Sequence, residues 1–210
     1  MNIREIPLSG WTREKLFRSY LGSDFPHIIL GARVDVTRLL ALCRREEALS
    51  FYFTLVHLCT KTADGIVNFR YRFEDERVFE IEYNRPVLTH IRPGESDFIM
   101  LEGPHTDDPF EFCRVLNARA KDRAPGERLD AGGEHTLISY SCMPWIDYTH
   151  FVRTIMRAGR DCNPKISWGK YVTENGRTSL NLSVQTHHGL MDGLHVGLFY
   201  ERLQAALDAL

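Results

Sequence analysis

Apolar and polar residues alternate along two stretches of this chain with the two-residue period of half-buried strands. In one, Leu180, Leu182 and Val184 interleave with Ser179, Asn181, Ser183 and Gln185. In the other, Val67, Phe69, Tyr71 and Phe73 interleave with Asn68, Arg70, Arg72 and Glu74. This second run predicts a hairpin that turns at Asp75–Arg77 and returns from Val78 to Glu82. Shorter apolar runs predict strands over 1–8, 25–34, 86–91, 97–101, 135–142 and 166–172. The last of these pairs with Leu180–His187 across Glu174-Asn175-Gly176, a turn sequence. Helical spacing governs the remainder. It marks 11–21, with Ser9 as a possible cap and Arg13 in the first turn, and 36–46, opened by Asp35. A further helix, apolar on nearly every side, opens at Ser50 and is closed by Gly65. Another starts at Pro109 behind Asp107 or Asp108. The final helix carries Val196, Phe199, Leu203, Ala206, Leu207 and Leu210 on one face.

Seven to nine strands and four or five helices in mixed order predict an α/β fold. The expected form is a two-layer sandwich, with a mixed, largely antiparallel sheet packed against helices. One domain over 1–210 is expected from the length. No Gly-rich phosphate loop occurs, which disfavours a nucleotide-cradling fold. Composition narrows the picture further. A formal net charge of -2 without a basic block argues against a nucleic-acid partner. No apolar run is long enough for a membrane span, and the first residues lack the apolar core of a secretion signal. Five scattered cysteines, none in a C-x-x-C pair, then predict reduced thiols in the cytoplasm.

Candidate chemistry collects where the strand ending at His187 and His188 gives way to the final helix. A neutral imidazole held at a rigid strand end is suited to general-base work near neutral pH. Asp192, four residues on, could orient that ring, hold the turn, or simply cap the helix. His187, His188 and Asp192 could also bind a metal. His187 should face the opposite side of the strand from His188 and serve the structure. His57, inside the apolar helix, is expected to be a hydrogen-bonded core residue.

The segment HHGLMDG fits the HH-x3-DG signature of CoA-dependent acyltransferases. With NIREIPLSGWTREKLFRSY, SYSCMPW and NPKISWGKY at compatible spacings, the chain resembles the chloramphenicol acetyltransferase family over nearly its whole length. The resemblance implies acetyl transfer from acetyl-CoA, a cosubstrate, to a hydroxyl of chloramphenicol. No covalent enzyme intermediate, tightly bound cofactor or metal is implied. It makes His188 the general base and Arg13 the partner of Asp192. Ser141 becomes the donor to the oxyanion. Ser167 falls where the family has a water-holding threonine. Tyr20, Phe98 and Phe151 fall at acceptor-binding positions, and Lys170 and Tyr171 at CoA-binding positions. A homotrimer with active sites at the subunit boundaries is also implied. Cys142, beside Ser141, would be a thiol nucleophile in a competing scheme that the family does not use.

Several positions depart from the family pattern. Ser19 replaces a frequent phenylalanine, Gly-Leu-Met fills the interior of the motif, and Arg128 or Leu129 replaces an aromatic residue. Arg153 stands at an apolar pocket position. A cation there disfavours a neutral aromatic acceptor; it would suit an anionic acceptor instead, or point to solvent. An O-acetyltransferase for another acceptor and a non-catalytic CoA-binding homologue therefore stand beside the leading expectation.

Overall fold

The computed structural model describes residues 1–122, 124, 134–155 and 160–210. Their order is β1 (Ile3–Ile6), α1 (Glu14–Leu21), β2 (His27–Asp35), α2 (Thr37–Arg45) and α3 (Phe51–Asp64), then β3 (Tyr71–Glu74), β4 (Arg77–Ile81), β5 (Arg85–His90) and β6 (Ile99–Glu102). After these come α4 (Pro109–Asp122), β7 (Leu137–Met143), β8 (Lys165–Gly169), β9 (Val172–Glu174), β10 (Arg177–His187) and α5 (Gly193–Asp208). The fold is α/β. Seven strands form the main sheet in the order β2-β10-β8-β7-β5-β6, with β9 also paired to β10. Only the β8–β7 and β7–β5 pairs are parallel. A second sheet, β1-β4-β3, was not foreseen as a separate layer.

The two faces of the main sheet differ in chemistry because strand side chains alternate. Leu182, Val184, Ile166, Trp168, Ile138, Tyr140 and Leu88 lie on one face, none more than 1% exposed. They join Leu55, Val56 and Cys59 of α3 and Val196, Phe199 and Leu203 of α5 in one core. Each such aliphatic side chain contributes on the order of 1.5–3 kcal/mol by leaving water. Polar groups that cross this layer are satisfied: Tyr140 and Thr60 share a hydrogen bond of 2.8 Å, and Tyr52 OH donates to Thr89 O at 2.7 Å. On the other face Ser183 of β10 stands opposite Ser167 of β8, and Ser167 opposite Ser141 of β7. Thr89 of β5 continues the row by donating to Ser141 Oγ at 3.4 Å.

Local signals account for most element ends. Ser50 Oγ accepts from Phe53 N–H at the start of α3, and Asp108 accepts from Phe110 N–H at the start of α4. Asp35 accepts from both the N–H and the hydroxyl of Thr37, the first residue of α2. Asn175 and Gly176 both adopt positive φ, 51° and 77°, which a two-residue hairpin requires. His57 is 5% exposed, with Nε2 bonded to Thr106 O at 3.0 Å.

Other expectations need correction. Residues Val67–Arg70 are a 3₁₀ turn, and the strand starts only at Tyr71. A strand would send Asn68 and Phe69 to opposite sides, whereas here both are buried. Ser9 does not cap α1; Arg13 occupies the position before its first residue, and its side chain makes no cap bond. The run over 166–172 is broken, because β8 ends at Gly169 and β9 starts at Val172. Lys170 and Tyr171 fall in that break.

Candidate active site

Between β10 and α5 the chain reverses over His188–Asp192, and every backbone polar group of His188 through Met191 has a partner. His188 N–H donates to Pro26 O at 2.7 Å. Its carbonyl accepts from Arg13 Nη2 at 3.0 Å. Gly189 N–H donates to His187 Nδ1 at 3.1 Å, and Gly189 O accepts from Arg13 Nε at 3.3 Å. Leu190 N–H and Met191 N–H both donate to His187 O. Leu190 O accepts from Asn68 Nδ2 at 2.9 Å. Met191 O meets His188 Nδ1 at 3.1 Å. A loop so fully bonded has one conformation and carries its histidine rigidly.

The Met191 contact also fixes the tautomer. A carbonyl can only accept, so His188 Nδ1 carries the proton and Nε2 keeps its lone pair. The ring is half-buried and stacks on Tyr20, with centroids 4.5 Å apart. His187 is placed differently. It is 1% exposed and its ring packs against Phe73 and His27. Among the described residues no group of three or more His, Cys, Asp or Glu side chains converges to hold a metal.

The Asp192 carboxylate makes no hydrogen bond to His188; its partners are Arg13, Leu194 and His195. Of the roles open to it, it fills the two that hold the turn. Its Oδ1 accepts from Leu194 N–H at 3.2 Å, capping α5. His195 Nδ1 reaches back to Asp192 N–H at 3.2 Å and completes a capping box. The same nitrogen lies 2.9 Å from Asp192 Oδ1. The pair expected between Arg13 and Asp192 is present, Nη1 to Oδ2 at 2.9 Å. Burial works to raise the Asp192 pKa. The Arg13 hydrogen bond, the nearby His195 and Arg13 charges and the Leu194 N–H outweigh it and hold the carboxyl below its usual range. Arg13 is 8% exposed, so one guanidinium ties α1 to Asp192 and to two carbonyls of the turn.

The remaining sequence candidates lie elsewhere. Ser141 and Ser167 belong to the hydroxyl row, where Ser167 is 1% exposed and its Oγ has no hydrogen-bond partner among the described residues. Ser183 lies five residues before His188 on β10, roughly 16 Å away at strand rise. Ser167 stands beside Ser183, and Ser141 one strand beyond. One chain therefore does not bring His188 and Ser141 to the same reacting atom. Phe151 is half-buried against Tyr148, whereas Phe98 is 54% exposed. Lys170 is exposed, and Tyr171 packs on Phe51 at 5.6 Å. Arg128 and Leu129 lie outside the described residues.

Cys142 points to the helix face, away from Ser141. Burial pushes its thiol up to about 12, partly countered by a contact with Trp168, which removes the thiolate that a nucleophile needs. A concavity of about 850 Å³ lies along the outer side of α4, lined by Phe110, Arg114 and Lys121, among others. None of the candidate site residues lines it, and the chemistry of the turn is the better guide to the site. Sequence reasoning missed Asn68, Gln185 and Thr89. The polar beats of β5 and β10 were the available signal for the last two.

Comparison with known proteins decides the relationship. The sequence model of the family described as chloramphenicol acetyltransferase matches residues 1–204. The chain belongs to the chloramphenicol acetyltransferase family. It is 26% identical over 210 residues to chloramphenicol acetyltransferase 2 of Escherichia coli, covering 99% of this chain and 98% of that one. It is 24% identical over 213 residues to the chloramphenicol acetyltransferase of Campylobacter coli, covering 99% and 100%. In structure it resembles a chloramphenicol acetyltransferase with a TM-score of 0.85 at 21% identity, over 98% of this chain and 100% of that one. A probable dihydrolipoamide acetyltransferase from Listeria monocytogenes shares the fold more distantly, with a TM-score of 0.67 at 13% identity over 98% and 94%. Family membership supports acyl transfer as the class of chemistry.

Proposed function

We propose that this chain, as one catalytic domain, transfers an acetyl group from acetyl-CoA to a hydroxyl of chloramphenicol in the cytoplasm. The observation that carries the reading is the His188 ring. Its Nδ1 is engaged by Met191 O, so Nε2 is left as a base on a rigid turn. Nε2 takes the acceptor's proton while the oxygen attacks the thioester carbon. The resulting oxyanion accepts a hydrogen bond from Ser141. The carbon–sulfur bond then breaks, and the imidazolium returns its proton to the CoA thiolate. The buried, unpartnered Ser167 hydroxyl fits a place for one bridging water. Tyr20, Phe98 and Phe151 would contact the acceptor. Lys170 and Tyr171, beyond the end of β8, offer a cation for phosphate and a ring for adenine.

Because His188 and Ser141 are far apart in one chain, the reading requires a second copy, and a homotrimer is proposed. Trp145, Ile146, Val152, Phe25 and Leu194 are each 49% or more exposed, which suits burial between copies. A different hydroxyl acceptor is the second reading, favoured by Arg153. The test is release of CoA thiol from acetyl-CoA in the presence of chloramphenicol. Chloramphenicol-dependent release that drops by about 10²–10⁴ in His188→Ala supports the proposal. Tight CoA binding without turnover on a broad acceptor panel would make the chain a non-catalytic homologue.

A further inference from the structure

We propose that Arg153 selects an acceptor that carries a carboxylate as well as the hydroxyl to be acetylated. The inference rests on the acyl-transfer reading above and deepens its second form, a hydroxyl acceptor other than chloramphenicol, at the same site. Arg153 lies over the hydroxyl face of the sheet. Its backbone is clamped there: Arg153 N–H donates to Gln185 Oε1 at 2.8 Å, and Gln185 Nε2 donates to Arg153 O at 3.3 Å. Gln185 itself is 2% exposed, so this clamp is built into the sheet. The guanidinium is fixed as well, with Nη1 donating to Ser139 O at 3.0 Å and Ser139 Oγ at 3.2 Å. Ser139 is two residues from Ser141 on β7, roughly 7 Å away on the same face.

These partners are neutral and occupy one nitrogen. Among the described residues Arg153 has no ion-pair partner, and its Nε and Nη2 edge makes no hydrogen bond. Asp161, the carboxylate whose charge bears on Arg153, is already paired with Lys165 at 2.6 Å. Burial lowers the Arg153 pKa, countered only in part by Tyr52, Asp161 and Tyr148. A half-buried cation without a counter-charge binds an anion more strongly than a solvated one does. The Nε and Nη2 donors form the parallel fork that two carboxylate oxygens match. A phosphate dianion would call for a second free cation, and Lys165 is committed. A neutral acceptor leaves the guanidinium unpaired in a site it has just desolvated.

The test compares matched pairs of hydroxy acids and their methyl esters as acceptors, with acetyl-CoA and thiol release as the readout. Wild type is expected to prefer the acid by about ten- to a hundredfold in kcat/KM. Arg153→Met should collapse that acid-to-ester ratio toward one. Arg153→Lys, which keeps charge without the fork, should fall between. Melting temperatures of all three keep misfolding distinct from lost selection. A wild-type ratio near one overturns the inference, and acetyl transfer itself then still stands. A ratio unchanged in Arg153→Met also overturns it, whether or not the variant melts or dissociates early; Arg153 would then serve the fold or pair with a neighbouring copy. If neither acids, esters nor chloramphenicol release thiol, the acyl-transfer reading falls and takes this one with it.

Discussion

Arg13 shows how far one side chain reaches in this site. Its three nitrogens hold Asp192, His188 O and Gly189 O, so removing it strands a carboxylate and two carbonyls at once. Arg13→Ala should cost about 2–3 kcal/mol in urea unfolding, less than for a fully buried pair because the Asp192 side chain is 32% exposed. Arg13→Lys keeps a charge for Asp192 but cannot make three contacts from one ammonium. It should recover much of the stability and little of kcat. Equal recovery of both would mean that the guanidinium only supports the fold. The HH-x3-DG signature pointed to His188 and Asp192 because it places them in one turn, and the family resemblance of the first helix pointed to Arg13. It could not reveal that Met191 O, and not Asp192, holds the imidazole, since a backbone carbonyl leaves no mark in residue identity. Asn68 was hidden for a similar reason: its partner, Leu190 O, is 122 residues away.

At the scale of elements, the turn between β10 and α5 depends on the absence of a side chain at Gly189. A Cβ there would lie 3.1 Å from the His187 ring and 3.2 Å from Phe17 Cα. Neither neighbour can easily give way, since His187 is packed by Phe73 and bonded to Gly189 N–H, and Phe17 is in α1. Gly189→Ala should therefore destabilise by about 1–3 kcal/mol and displace His188, lowering kcat more than it changes KM for acetyl-CoA. Wild-type kcat in a variant of normal melting temperature would show that the turn is looser than its bonding implies. Strands and helices with plain signals were legible: Ser50, Asp108 and the Asn175-Gly176 turn each predicted the element found. The stretch Val67–Arg70 was not. Its alternation matches a strand over so few residues that only the tertiary demand for Asn68 and Phe69 on the inside separates the two conformations. The small sheet was missed as a layer because the pairing of β1 with β4 joins Ile3 to Ile81, and nothing local marks so distant a partner.

For the molecule as a whole, burial lowers the pKa of His27, His57 and His90, only partly offset for the first two by backbone hydrogen bonds to Asp161 and Thr106. Unfolded, each takes a proton near pH 6.5; folded, each resists until lower pH. The unfolded state thus binds more protons below that value, and stability rises with pH there. Their contribution is complete above about pH 6.5 and is lost as pH falls toward the folded pKa values. The loss is at most about 1.4 kcal/mol per pH unit for each histidine. Urea midpoints between pH 8 and 5 should fall on the acid side, and His27→Gln should flatten the slope. The spatial gap between His188 and the hydroxyl row has a sharper consequence, which periodicity and composition did not show and only the family resemblance implied. If the base of one copy serves Ser141 of the next, inactive chains can complement each other. In a trimer assembled at random from equal His188→Ala and Ser141→Ala chains, a boundary is intact only when the first kind supplies Ser141 and the second supplies His188. That combination occurs at about one boundary in four, the product of two even chances. Co-expressed variants should recover about a quarter of wild-type turnover per site, while each alone stays low. Recovery no better than the average of the two parents would place both residues in one chain's site and end the case for a shared one.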